Sequence, residues 1–305
     1  AKVLAKKDGS LVAVFFNRAD APKGNAQGGR GRGGRSGEIV YCVSKDSGLT
    51  WTTPQSVDSD PTKGIMRGFF DSVLMANDEI AVAYLKDVKG STKHEERDLR
   101  LVTTKNGVFQ PEKLVDPVVC DCCNINLLVD ANGALNVYYR DNNDDIRDIA
   151  RMTSADFGET FSKSQIVYPD GWKIRGCPHN GAVSSVQGKS ALVAWYSGAE
   201  TESGIRLVTQ EGKKLLVLNE PTVKNPCLVA ASNQAALLWE QNAGNDKTQL
   251  VFRKIDADKV SETLSVEGSD NATNSTALII DNQLVIAHEV KQSDGNILKI
   301  STITF

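Results

Sequence analysis

Cysteine is the residue type in this chain whose placement calls for a chemical explanation. Cys120-Asp121-Cys122-Cys123, Gly176-Cys177-Pro178-His179-Asn180 and Asn225-Pro226-Cys227 recur at one point of a repeating strand pattern. Thiolate and imidazole donate strongly to soft or borderline metals such as Cu(I) and Zn(II), and adjacent loops can bring three or four such donors together. The candidate metal ligands are Cys120, Cys122, Cys123, Cys177 and His179, the last because it stands two residues after Cys177. The Cys120-x-Cys122-Cys123 spacing is not a zinc-finger pattern, and its tightness suits a trigonal thiolate site better than a tetrahedral knuckle. Copper is therefore the first expectation and zinc the alternative. Two other readings stay open. An even count of six cysteines also suits disulfides in an exported chain, and the thiols could be reduced and unrelated. Cys42, on what reads as a third strand, is expected to be an inert buried thiol. Cys227, which opens a strand, is the least certain member of the group.

The elements that would position these residues are strands. Alternating, β-branched and aromatic-rich runs bounded by turn residues form pairs at Lys2 to Phe16, Ser72 to Tyr84, Ile125 to Tyr139, Ala182 to Trp195, Cys227 to Trp239 and Ser275 to Glu289. A third strand follows each pair: Ile39 to Ser44, Leu99 to Thr104, Ile149 to Ser154, Ile205 to Gln210, Gln249 to Ile255 and Ile297 to Thr302. Six such units in 305 residues average about 51 each, which suits a four-stranded propeller blade. The expectation is an all-β, six-bladed β-propeller forming a single domain over residues 1–305. Blade-to-blade connections open on one face of such a fold, which is where the cysteine turns fall.

Two of the third strands run into a shared motif. Ser44-Lys45-Asp46-Ser47-Gly48-Leu49-Thr50-Trp51 and Ser154-Ala155-Asp156-Phe157-Gly158-Glu159-Thr160-Phe161 both read S-x-D-x-G-x-T-W/F. The pattern is a hairpin clip: Asp46 and Asp156 accept from turn N–H groups, Gly48 and Gly158 permit positive φ, and Trp51 and Phe161 anchor the turn, with Ser44, Thr50, Ser154 and Thr160 completing it. Thr104-Lys105-Asn106-Gly107-Val108-Phe109 is a worn copy. On these residues the chain resembles the sialidase-like Asp-box (BNR repeat) propellers over nearly its whole length, as a bacterial Asp-box protein with a Cys-x-Cys-Cys turn. The resemblance implies that the clip is structural and lies on the face away from an active site.

The same resemblance brings a rival function, exo-glycoside hydrolysis. Sialidases of this superfamily use three arginines for the substrate carboxylate, a tyrosine activated by a glutamate as nucleophile, and an aspartate as acid/base. This chain departs from that plan. The Phe-Arg-Ile-Pro motif is absent, and Ile65-Met66-Arg67-Gly68-Phe69 is the nearest text. Arg67, Arg140 and Arg175 remain candidates for an anion clamp, since guanidinium binds carboxylates bidentately. A third possibility is a non-catalytic propeller that binds a glycan or partner protein on its loop face, with Trp172 stacking on a sugar or capping the next blade.

Composition narrows the partners. With 40% hydrophobic residues and a net charge of −3, the chain carries no basic excess to attract nucleic acid, and no apolar run approaches the roughly 20 residues of a membrane helix. The Arg-Gly run from Gly28 to Gly37 reads as a loop rather than an RNA-binding box. Ala1 begins directly in an inner strand and the last blade ends after its third strand. The expectation is a trimmed or processed chain, periplasmic or extracellular, that has lost an export signal and whose final outer strand is either absent or supplied by residues upstream of Ala1.

Overall fold

The structure is a computed structural model that describes residues 1–17, 37–60, 67–88, 97–176, 178–244, 247–292 and 295–305. Its strands form six antiparallel sheets, and it belongs to the expected class, an all-β six-bladed β-propeller of sialidase-like type. The first sheet orders β1 (Lys2–Ala5), β2 (Leu11–Asn17), β3 (Glu38–Ser44) and β4 (Gln55–Ser56). The second contains β5 (Arg67–Leu74), β6 (Ile80–Asp87), β7 (Arg97–Lys105), β8 (Val108–Phe109) and β9 (Lys113–Val119), with β9 also pairing β7. The third runs β10 (Asn126–Val129), β11 (Leu135–Arg140), β12 (Ile149–Ser154) and β13 (Gln165–Ile166); the fourth runs β14 (Val183–Gln187), β15 (Ser190–Ser197), β16 (Gly204–Thr209) and β17 (Lys214–Leu218). The fifth has β18 (Lys224–Ala231), β19 (Gln234–Gly244), β20 (Lys247–Asp256), β21 (Lys259–Val260) and β22 (Leu264–Ser265). The sixth has three strands, β23 (Ala272–Ile280), β24 (Gln283–Gln292) and β25 (Gly295–Thr304). Among the described residues no helix is long and apolar enough to cross a membrane.

Two compact units make up the chain. One comprises Ala1–Val129, Gly133–Asn142 and Met152–Ser164, the other Asp130–Asn132, Asn143–Arg151 and Gln165–Phe305. In the first, Val12, Val14, Ile39 and Val57 pack against Ile80, Val82, Tyr84 and Val102 of the next sheet. In the second, Leu192, Ala194, Ile205 and Leu207 meet Leu237, Trp239 and Val251, while Leu238, Leu250 and Phe252 meet Leu284, Ile286 and Val290. Middle strands are covered on both faces, which is why β6, β11 and β15 read as near-continuous apolar runs rather than alternating ones. Cutting Leu237, which is fully buried, to alanine would cost about 2–5 kcal/mol.

The two clips form as the motif requires. Asp46 Oδ1 accepts from Thr50 N and Ser44 Oγ at 2.8 Å each, and Thr50 Oγ1 donates to Oδ2 at 2.5 Å. Asp156 repeats the set at 2.9, 2.7 and 2.6 Å. The Thr50 hydroxyl, then the Thr50 N–H, hold the Asp46 carboxyl down to about 2, and Thr160 does the same for Asp156. Gly158 is required twice over: its φ is +84°, and a Cβ there would stand 2.9 Å from the Leu101 side chain. Ser47 and Phe157, just before the glycines, also adopt positive φ. In the worn second copy the missing aspartate is replaced from another turn, because Glu79 accepts from Thr104 Oγ1 and, at 3.2 Å, from Gly107 N.

A second device recurs in five of the six sheets. Four residues beyond the first buried residue of the middle strand (Ile80, Leu135, Ala191, Ala235, Leu284) stand Tyr84, Tyr139, Trp195, Trp239 and His288. The first three each donate to a carboxylate: Tyr84 to Glu112 at 2.6 Å, Tyr139 to Asp116, and Trp195 to Asp170 at 2.6 Å. Asp170 is also ion-paired with the buried Arg206. Among the described residues, Trp239 Nε1 and both ring nitrogens of His288 have no hydrogen-bond partner.

Candidate functional site

The cysteine turn lies between β9 and β10 and is fixed from three directions. Cys120 N donates to the carbonyl of Arg140, the last residue of β11, at 3.1 Å. Arg97 Nη1 donates to the Asp121 carbonyl, while Arg97 Nε reaches Asp87 Oδ1 at 3.1 Å. The third support is Phe69, which packs on the three sulfurs and receives the Arg97 guanidinium 5.9 Å from its ring centroid. Phe69 sits in a bulge of β5 between Gly68 and Asp71, with φ +49°, and Val118 just ahead of the turn has φ +56°. Bulky and β-branched residues rarely take that conformation, at a cost of about 1–3 kcal/mol each, so the surroundings hold both in place.

These supports bring Cys120, Cys122 and Cys123 together. Their sulfurs all lie within 4.8 Å of one another, with Cys120 Sγ 3.9 Å from Cys122 Sγ and 3.6 Å from Cys123 Sγ. All three residues are buried, 1–4% exposed. Hydrogen bonding with Cys120, then with Cys123, pushes the Cys122 thiol far above its ordinary range. For Cys123 the hydrogen bond with Cys120 dominates and pushes it up to about 12, against the pull of the Arg140 guanidinium. Such a site holds its protons until something stronger displaces them.

The other expected ligands and clamp residues are placed as follows. His179 is exposed, in the left-handed region at φ +54°, and Cys177 lies outside the described residues. Among the described residues, the group of potential metal ligands that closes is the three cysteines of the turn. Cys42 is buried on β3, and Cys227 packs against the apolar cluster of the fifth and sixth sheets. Arg140 is buried at the cysteine turn, whereas Arg175 is exposed and paired with Asp145 at 3.1 Å. Arg67 opens β5, but its side chain lies outside the described residues, as does the Arg-Gly run up to Ser36. Trp172 is buried edge-on to Tyr196, the blade-capping role rather than the sugar-stacking one.

The Asp156 clip and the cysteine turn occupy opposite ends of the third sheet. Thr153, at the edge of the Asp156 clip, donates to Asn136 near the start of β11 at 2.8 Å, while Cys120 is held at the end of β11. Neither Phe69 nor Arg97 was marked by sequence reasoning as part of the site. Arg97 leaves one trace in the sequence, its position at the start of a third strand beside a loop rich in charge.

A family model described as a BNR repeat-like domain matches residues 3–249. No curated protein matches in sequence. Among solved structures, the Hadza microbial sialidase Hz136 is similar with a TM-score of 0.60 and 13% identity, over 99% of this chain and 65% of that one. The α-L-arabinofuranosidase Arb93A from Fusarium graminearum gives 0.58 and 12%, over 99% and 91%. A polysaccharide lyase, the PL25 ulvan lyase, gives 0.57 and 12%, over 99% and 78%. The chain thus spans just under two thirds of the sialidase's length, and at these identities the likeness is one of fold.

Proposed function

The chain belongs to the BNR repeat-like domain family, and within it we propose a soft-metal-binding propeller in which Cys120, Cys122 and Cys123 hold one Cu(I) ion as thiolates. The observation that carries this is the sulfur triangle. A metal bonded to three sulfurs at about 2.3 Å in a trigonal plane needs sulfur–sulfur separations of about 4.0 Å, and those of Cys120 are 3.9 and 3.6 Å. The ligand count then argues for copper over zinc. Zn(II) takes a fourth ligand, whereas among the described residues the group that closes offers three sulfurs, a set of soft thiolates that suits Cu(I). Arg140 assists by favouring the charged form of Cys123.

The test is an anaerobic Cu(I) titration against a coloured competitor, with X-ray absorption on the product. One equivalent bound with sulfur scatterers at about 2.2–2.3 Å, and lost in Cys122→Ser and Cys123→Ser, supports the reading. Protein that retains no Cu(I), or variants that bind as the parent does, ends it.

The alternative, an exo-glycosidase or a glycan-binding propeller, has the family and the fold of its neighbours in support. Hydrolysis of a fluorogenic sialic acid conjugate or arabinofuranoside, abolished by Arg67→Ala, would reverse the ranking.

A further inference from the structure

The sixth sheet ends on β25 (Gly295–Thr304), and among the described residues nothing pairs with the outer edge of that strand, whereas each of the other five sheets continues past its third strand. Phe305 N donates to the Asn282 carbonyl at 2.9 Å, and the register of β24 with β25 runs unbroken from Gln283 opposite Thr304 to Gln292 opposite Gly295. In an antiparallel ladder, alternate residues turn their N–H and C=O groups to opposite edges of the strand. The odd-numbered residues therefore bond β24, and the N–H and C=O groups of Leu298, Ile300 and Thr302 point away from the sheet. Thr304 follows the same alternation, because its carbonyl accepts from Lys254 Nζ at 3.1 Å. The outward-bonding residues include two open apolar side chains, Leu298 at 71% and Ile300 at 68% exposed. Lys299, the one charged residue of the strand, is tied to the Gly268 carbonyl at 3.2 Å. A long apolar edge with its charge drawn aside is a surface on which another strand can pair.

The order of residues along the edge selects which strand. Ile297-Leu298-Lys299-Ile300-Ser301-Thr302-Ile303 places isoleucine symmetrically about Ile300. In an antiparallel pair of two copies centred on Ile300, that residue faces itself, Leu298 faces Thr302, Ile297 faces Ile303 and Lys299 faces Ser301. Centring on Lys299 would set like charges opposite each other, which is destabilising, and centring on Ser301 would set Lys299 against Ile303. The Ile300 register thus keeps the charge against a hydroxyl and apolar side chains against one another. Two-fold symmetry makes every contact twice, so the outward N–H and C=O groups of Leu298, Ile300 and Thr302 all find partners. We propose that the chain forms a two-fold dimer in which β25 pairs antiparallel with β25 of a second copy, centred on Ile300. The surface is independent of the thiols.

Sedimentation equilibrium on the whole chain, with amide hydrogen exchange followed at a low and a high protein concentration, tests this. A monomer–dimer equilibrium with a dissociation constant of about 10–100 μM is expected, as suits a strand pair smaller than a standard interface. Ile300→Asp, which sets two carboxylates across the axis, should weaken it about tenfold or more, while Leu278→Asp, at an exposed position on β23, should leave it unchanged. Exchange at Leu298, Ile300 and Thr302 should slow as the concentration rises through that constant. Three results would overturn the proposal: a chain that stays monomeric at about 1 mM, folded Ile300→Asp that dimerises as the parent does, or exchange of those three amides that is indifferent to concentration, the mark of an intramolecular strand on the edge or of an open one.

Discussion

The N–H of Cys120 is bonded to the carbonyl of Arg140, and the guanidinium of the same arginine favours the thiolate of Cys123. One residue thus fixes the turn through its backbone and tunes the sulfur chemistry through its side chain. Replacing Arg140 with methionine leaves the first function and removes the second. Cu(I) affinity should fall, because a charge that favours the Cys123 thiolate is lost, with circular dichroism unchanged. Unaltered affinity would show that the guanidinium does not act on the sulfurs.

Metal affinity should fall steeply with acid. Because the Cys122 and Cys123 thiols are both raised, they are protonated across the neutral range and must release protons to bind. Each proton released weakens apparent binding about tenfold per pH unit, so two to three protons give a slope measurable between pH 8 and 6 by competitor titration. A pH-independent constant would contradict this.

The clips predict a different acid limb. Asp46 and Asp156 have folded values near 2, below the ordinary 3.8, so their contribution is complete above about pH 4 and is lost as pH falls through about 2. Asp46→Asn should lower the melting temperature by a few degrees at pH 7, and the gap from the parent should close toward pH 2. A gap of constant size would refute the assignment.

Arg206 and Asp170 form an ion pair in which both side chains are almost wholly buried. Burial raises the Asp170 carboxyl despite the Trp195 N–H and Arg206. Removing only the arginine, as Arg206→Met, should cost about 3–5 kcal/mol in denaturant unfolding. The double change Arg206→Met with Asp170→Leu should recover most of it, and failure to recover would point to packing rather than charge.

His288 is fully buried, on a face with Leu284, Ile286 and Val290, and among the described residues neither ring nitrogen has a hydrogen-bond partner. Lys299 stands across from it on β25, Ser275 occupies the β23 bulge, and Glu240 of the neighbouring sheet is engaged by Asn274 N at 3.1 Å. Burial, then Lys299, lowers its pKa. The unfolded chain therefore takes up the proton first, and stability declines as pH falls from about 6.5. His288→Phe should flatten that decline between pH 7 and 5 in melting experiments; an unchanged slope would assign it to other groups.

The strands were legible because short apolar, β-branched and aromatic runs and the turn residues that bound them are local. The third strand Ile149–Ser154 matches its expected bounds, and Glu38–Ser44 differs from expectation by one residue. Two-residue outer strands such as β4 and β13 leave no pattern to read. At the site, the cysteine spacing announced the ligands but not their supports. Nothing in the letters Phe-Phe-Asp reveals that Phe69 takes φ +49°, because tertiary packing forces that conformation. Glu79 likewise replaces the missing clip aspartate from another turn, a substitution invisible to motif matching.

The placement of the Asp156 clip at one end of β11 and the cysteine turn at the other separates durability from innovation. Changes around Cys120 to Cys123 leave every clip hydrogen bond untouched, so a lineage, or an engineer, can rewrite the ligand set there without first restoring foldability. Donor residues grafted onto that turn should be tolerated far more readily than equal changes at Asp46 or Asp156.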